Sequence, residues 1–159
     1  MRRPAGFTLL ELIITMALMS IIAMAVFPLA KTTVRRQQEA QLKRNLRQIR
    51  DGIDRYKRFC DAPPIPGVSG INPLDRKPDD MCYPPSLDIL VEGVNINGSP
   101  NKVRFLNRIP PDPITGKSDW GTVSMQDEPE AKNWGGQNVY DVYSKSEGKA
   151  LDGTSYNKW

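Results

Sequence analysis

The chain has no histidine and only two cysteines among its 159 residues. Histidine is the commonest general base and the commonest zinc ligand. Its absence excludes a Ser-His-Asp site, and two cysteines cannot complete a zinc site of the all-Cys or Cys/His kind. Apolar residues are scarce outside one run: of the 24 residues from Phe7 to Ala30, 19 are apolar. What remains is thin for a globular core and implies a small, loop-rich soluble part. The length allows one domain of ordinary size and no second sizeable core. An even charge distribution is missing too. The net charge of +4 divides into +7 over residues 31–58 and −4 over residues 59–159, a basic segment followed by an acidic one.

What is present is concentrated at the N-terminus. A short basic leader, Met1-Arg2-Arg3-Pro4-Ala5-Gly6, runs into apolar sequence from Phe7 to Phe27. As a helix rising about 1.5 Å per residue, that run is long enough to span a bilayer. It exceeds the apolar core of about 7–15 residues of a secretory signal peptide, and no small-x-small cleavage site follows it directly. A plain signal anchor stays open. Glu11 sets this run apart from a plain anchor, because a carboxylate within lipid costs about 2.5–3.5 kcal/mol on insertion scales unless it finds a partner or a proton. Thr8, Glu11 and Thr15 are spaced by three and four residues and share one narrow helical face, a polar stripe that within lipid points at another protein.

Gly6 followed by Phe7-Thr8-Leu9-Leu10-Glu11, behind a basic leader and ahead of about twenty apolar residues, resembles the class III signal of type IV prepilins and type II secretion pseudopilins. The resemblance spans Arg2 to Pro28. It implies that a membrane-embedded aspartyl peptidase cuts after Gly6 and methylates the new amine at Phe7. It also implies that Glu11 pairs with the N-terminal ammonium of a neighbouring subunit. The pairing has a physical rationale of its own: a carboxylate and an amine, each unfavourable in hydrocarbon, neutralise one another when two helices pack in stagger. Orientation is contested by the residues themselves. Lys31, Arg35, Arg36, Lys43 and Arg44 outnumber Arg2 and Arg3, so charge counting favours the C-terminal side inside. The resemblance and the cysteine pair place it outside.

Helical periodicity continues beyond the apolar run. Leu42, Leu46, Ile49, Ile53 and Tyr56 recur at steps of four and three, while Lys43, Arg44, Arg47, Arg50, Arg55 and Lys57 fall on other faces. A helix from Phe7 to about Phe59 would be on the order of 80 Å long, loosened or kinked at Pro28. The basic face reads as solvated or as a contact with anionic lipid. Nucleic-acid binding has no recognition motif behind it and is opposed by the acidic remainder. The charge split also suits a basic segment of one subunit meeting the acidic part of another.

Twelve of the fourteen prolines lie beyond Cys60, and Ala62-Pro63-Pro64-Ile65-Pro66-Gly67 can be neither helix nor central strand. Cys60 and Cys82 flank this loop. In an oxidising compartment a bridge between them would add roughly 3 kcal/mol by loop entropy; reduced thiols are the alternative. A short helix is expected over Ser86–Glu92, capped by Ser86 and ended by Gly93, with Leu87, Leu90 and Val91 packing on the first helix. Trp120–Ser124 and Val139–Ser144 read as strands. Two or three antiparallel strands on a helix make an α+β fold.

Three segments, Tyr83–Val91, Arg108–Lys117 and Val139–Ser144, are similar to the head of the type II secretion major pseudopilin, the protein G class. That likeness implies a pilin-like fold with a long N-terminal helix on a small antiparallel sheet. It also implies a calcium loop after the last strand. Here that tail offers only Glu147 and Asp152, with Lys145 just before them and Lys149 between them, whereas calcium takes six to eight oxygens. Asp152-Gly153 reads rather as a turn, and Asp127-Glu128-Pro129-Glu130 as a solvated loop rather than a metal site. No cofactor is therefore expected, with Asp152 marking the one candidate calcium loop.

The sequence thus divides into a leader, residues 1–6; a transmembrane and assembly helix, 7–30; its amphipathic continuation, 31–59; and a small periplasmic head, 60–159. The expected role is a noncatalytic pseudopilus subunit of the bacterial inner membrane, cut by prepilin peptidase. It would polymerise with its own kind alongside minor pseudopilins and an inner-membrane assembly platform. A type IV pilin for adhesion, motility or DNA uptake is the nearest alternative. A membrane-anchored periplasmic binding or enzyme domain is the alternative of another class, although no paired-acid spacing supports catalysis.

Overall fold

The computed structural model describes residues 6–63, 65, 70–71, 80–128 and 134–159. A single helix, α1, runs from Leu9–Asp61, two residues displaced at either end from the expected range and unbroken in extent at Pro28. Pro63 shortly follows the helix, and the Ala62 N–H closes its last turn on the Arg58 carbonyl at 3.1 Å. The chain divides into two compact units, Met1–Gln38 and Glu39–Trp159.

In the second unit the apolar stripe of α1 is the centre of the core. Leu42, Leu46, Ile49, Ile53 and Tyr56 are each no more than 2% exposed. Leu90, Phe105, Leu106, Trp120, Val139, Val142 and Tyr156 join them in one buried cluster. Gly52 sits within this face because a Cβ there would meet Cγ of Leu106 at 2.9 Å. The helix thus accepts a glycine, disfavoured by about 0.5–1 kcal/mol against alanine, so that the loop can approach.

Helix α2, Leu87–Glu92, follows Pro84-Pro85. Ser86 occupies its N-cap in extended conformation, but its hydroxyl makes no capping hydrogen bond, so the expected side-chain cap is absent. Gly93 ends the helix at φ 83°, its N–H donating to Ile89 O at 2.9 Å. The Leu90 carbonyl accepts from both Phe105 and Leu106 N–H, at 2.9 and 2.8 Å, which satisfies an end-of-helix acceptor that would otherwise be buried bare. Leu90 is buried in the core, and Leu87 and Val91 pack at its margin.

The strands form two separate antiparallel ribbons rather than one sheet. β1, Val94–Asn95, pairs with β2, Lys102–Val103, and β3, Trp120–Val123, pairs with β4, Asp141–Ser144. The first ribbon is too short for alternation to reveal. The second matches the two expected strands in shortened form: Ser124 falls outside β3, and Val139 and Tyr140 fall outside β4, the Val139 N–H donating instead to Pro84 O at 2.8 Å. Gly121 lies opposite Tyr143 in the register, and the Tyr143 ring occupies the space a Cβ would need. The result is the α+β arrangement, a long N-terminal helix ahead of small antiparallel sheets, that the pilin-like resemblance implies.

Several polar side chains of α1 also hook the head, while Lys43, Arg44, Arg47 and Arg55 of its basic face stay exposed. Arg50 donates to Asp141, at 2.6 and 3.2 Å, and to the carbonyls of Val142 and Trp159. Arg55 reaches the Phe105 carbonyl at 2.8 Å, and Lys57 the Met81 carbonyl at 3.1 Å. Asn45 donates to Pro111 O at 2.8 Å, docking the loop Pro110–Pro113. Within that loop the buried Asp112 accepts from Ser144 Oγ at 2.6 Å and from Ile114 N–H at 2.8 Å.

Cys60, in the last turn of α1, is disulfide-bonded to Cys82, their Cα atoms 5.5 Å apart. Met81 and Cys82 adopt left-handed backbone, φ 49° and 63°, held by Asp80, whose carboxylate accepts the Cys82 N–H at 3.1 Å. Most of the proline-rich loop that the bridge closes, residues 64, 66–69 and 72–79, lies outside the described residues.

Leu46→Ala should destabilise the head by about 2–5 kcal/mol, read as a lowered thermal midpoint of the full chain in detergent. Replacing both cysteines by serine, across a separation of 22 residues, should remove roughly 3 kcal/mol. A third expectation concerns pH. Ser124 and Gly135 N–H groups donate to Asp127, at 2.8 and 3.1 Å, and hold its carboxyl below the usual value of 3.8. A carboxylate depressed on folding contributes fully above its unfolded pKa, and that contribution is lost as pH falls through the folded one. Amide exchange at Ser124 and Gly135 should therefore quicken, relative to intrinsic rates, below about pH 4. In Asp127→Ala the two amides should already be unprotected at neutral pH and lose this acid-dependent step.

Candidate functional site

From Leu9 to Met24 the helix presents exposed apolar side chains around most of its circumference. Phe7 is 79% exposed, and Leu9, Leu10, Ile13, Met16, Ile21 and Met24 are likewise open to their surroundings. A helix that is apolar all round belongs in a lipid or protein interior rather than in water. Among the described residues no helix is long and apolar enough to cross a membrane. The described side chains run unbroken only to Met24. The sequence carries the apolar run on through Ala25, Phe27 and Leu29, whose side chains lie outside the description.

Thr8 begins α1. Its carbonyl accepts the Leu12 N–H at 3.2 Å and its hydroxyl accepts the Glu11 N–H at 3.2 Å, so Thr8 is the N-cap and Glu11 the third helical residue. Reading Thr8 only as part of a polar stripe overlooks this cap, which the Thr-x-x-Glu spacing signals. Thr15 donates to Leu12 O at 2.9 Å and Ser20 to Met16 O at 2.8 Å. The hydroxyls are thus turned onto their own backbone, and the three-residue stripe reduces to one group. Glu11 is exposed, and its carboxylate has no protein partner among the described residues. Its place in the first turn suits a negative charge, because the helix dipole is positive there. Gly6 and Phe7 directly precede the cap, whereas Met1 to Ala5 lie outside the described residues.

The tail after β4 does not fit a calcium cage. Asp152 accepts from Thr154, from its N–H at 2.9 Å and its hydroxyl at 2.6 Å, contacts that hold its carboxyl below the usual range. Gly153, at φ 87°, completes the turn by donating to Ala150 O at 3.0 Å. Glu147 is exposed, and among the described residues no three Asp, Glu or Cys groups converge as metal ligands do. Nor does Asp127, already committed to two backbone amides, join such a set; Pro129 and Glu130 lie outside the described residues.

The head also uses residues that periodicity does not single out. Glu39 accepts from the Leu151 N–H at 2.8 Å and the Tyr156 hydroxyl at 3.0 Å, more than a hundred positions away in sequence. Asp112 and Arg50 likewise act through distant partners, for which a single sequence carries no local signal.

Residues 1–27 match the family model described as the prokaryotic N-terminal methylation motif. No curated protein and no solved structure matches the chain. The match covers Gly6, Phe7 and Glu11 and leaves the head to its own geometry. The chain therefore carries a type IV pilin-like signal, of the kind prepilin peptidase processes, ahead of an α+β pilin-like fold.

Proposed function

We propose that this chain is a structural subunit of a type II secretion pseudopilus. It is cut after Gly6, methylated at Phe7, and polymerised through its N-terminal helix into a periplasmic filament that drives protein export. The observation that carries this reading is Glu11: a carboxylate with no partner among the described residues, beside Thr8, Thr15 and Ser20 whose hydroxyls bond their own backbone, within a matched methylation motif. Removal of Gly6 and the residues before it frees an amine at Phe7. A carboxylate on a second, staggered subunit is the neutralising partner for that amine in hydrocarbon. Assembly, not catalysis, is then the activity, with the helix spanning the inner membrane once and the head in the periplasm. Minor pseudopilins, the inner-membrane assembly platform and prepilin peptidase are the implied partners. The likeness of Arg108–Lys117 and Val139–Ser144 to protein G class heads favours secretion over adhesion, motility or DNA uptake.

Mass spectrometry of the mature protein should show an N-methylated chain beginning at Phe7. A chain still beginning at Met1 would return the reading to a plain anchor. Glu11→Ala should insert and fold as the parent does, while its incorporation into filaments beside the parent falls about tenfold or more. Deletion should block export of folded proteins; intact export with lost motility would select the pilin alternative.

A further inference from the structure

We propose that residues 149–159 are a latch that Glu39 closes with protein groups alone, without the calcium that the resemblance implies for this tail. The proposal stands on residues 39–159 and holds whichever filament the chain enters.

Glu39 is the first residue of the second unit. Its Oε1 accepts both the Leu151 N–H and the Tyr156 hydroxyl, at 2.8 and 3.0 Å, joining the start of the tail to its 3-10 turn, Tyr156–Lys158. One turn along α1, the Lys43 ammonium lies over the Trp159 ring, 4.2 Å from its centroid. Arg50 donates to the Trp159 carbonyl at 3.0 Å. Positions 39, 43 and 50 fall on one helical face, so a single line of side chains grips both ends of the tail.

The tail is also closed on itself. Ala150 N–H donates to Thr154 O at 2.7 Å. The Thr154 hydroxyl donates to Asp152 and accepts from Trp159 Nε1 at 2.7 Å. Tyr156 meets the Trp159 ring edge to face at 5.3 Å. A cation organises a loop by drawing several carboxylates and carbonyls together. Here Asp152 is committed to Thr154, and an anionic oxygen on α1 draws two donors together instead. Hydrogen bonds to a charged acceptor are the stronger kind, and two of them converge on this one atom.

The test is hydrogen exchange of the 149–159 peptide in the full chain in detergent, in excess calcium chloride and in excess EGTA. The two conditions should give the same protection. In Glu39→Ala, exchange at Leu151 should quicken about tenfold or more. Glu39→Gln, which keeps an acceptor oxygen, should remain within a few-fold of the parent. Protection of the parent that rises with calcium would overturn the proposal, as would Glu39→Ala protected like the parent. Should Glu39→Ala unfold, seen as quickened exchange over Leu42–Tyr56 as well, the Gln variant and the calcium comparison decide.

Discussion

Burial of Leu42, Leu46, Ile49, Ile53 and Tyr56 along one stripe of α1 constrains where everything else in residues 39–159 can lie. The remaining chain is poor in apolar residues and rich in proline, so its loops cannot make a core among themselves. Each instead brings one or two large side chains to the stripe: Leu90 from α2, Phe105 and Leu106 from the segment after β2, Trp120 from β3, Val142 from β4 and Tyr156 from the tail. Apolar area is the dominant favourable term in folding, and here most of it is collected on a single surface.

Loops tethered by one or two anchors still have backbone groups to satisfy, and the flanks of α1 supply them. Asn45, Arg50, Arg55 and Lys57 donate to loop carbonyls, while Glu39 accepts from the tail. Long side chains suit this role because their stems lie along apolar surface while their heads reach outward. The +7 segment is thus partly spent within the subunit, which leaves fewer cations for neighbouring subunits or lipid than the charge count suggests. The stretch from Phe7 to Met24 shows the opposite economy: the hydroxyls of Thr8, Thr15 and Ser20 are satisfied locally, its apolar side chains are open, and Glu11 is left without a partner among the described residues.

Legibility followed range. The stripe from Leu42 to Tyr56 stood out because a helix repeats every 3.6 residues and five positions kept the phase. The β3–β4 pair stood out through β-branched and aromatic residues bounded by Gly and Asn. Ser86 marked the start of α2, yet its hydroxyl does not cap, because position alone does not orient a side chain. The β1–β2 ribbon has two residues in each strand, too few for alternation to register. Thr8 was legible as a polar position, and its Thr-x-x-Glu spacing carried the cap, but only geometry showed the hydroxyl removed from the helix surface.

The amino-acid order by itself determined the methylation motif over residues 1–27, the acid at Glu11, the long helix and its buried stripe, because each is written in neighbouring residues or in a short repeat. Tertiary structure alone decided that Arg50 serves Asp141, that Asp112 is buried on Ser144, and that Glu39 holds the tail. Those partners are tens of residues to more than a hundred apart, and nothing local distinguishes a charge destined for water from one that meets its complement only when the chain has closed around α1.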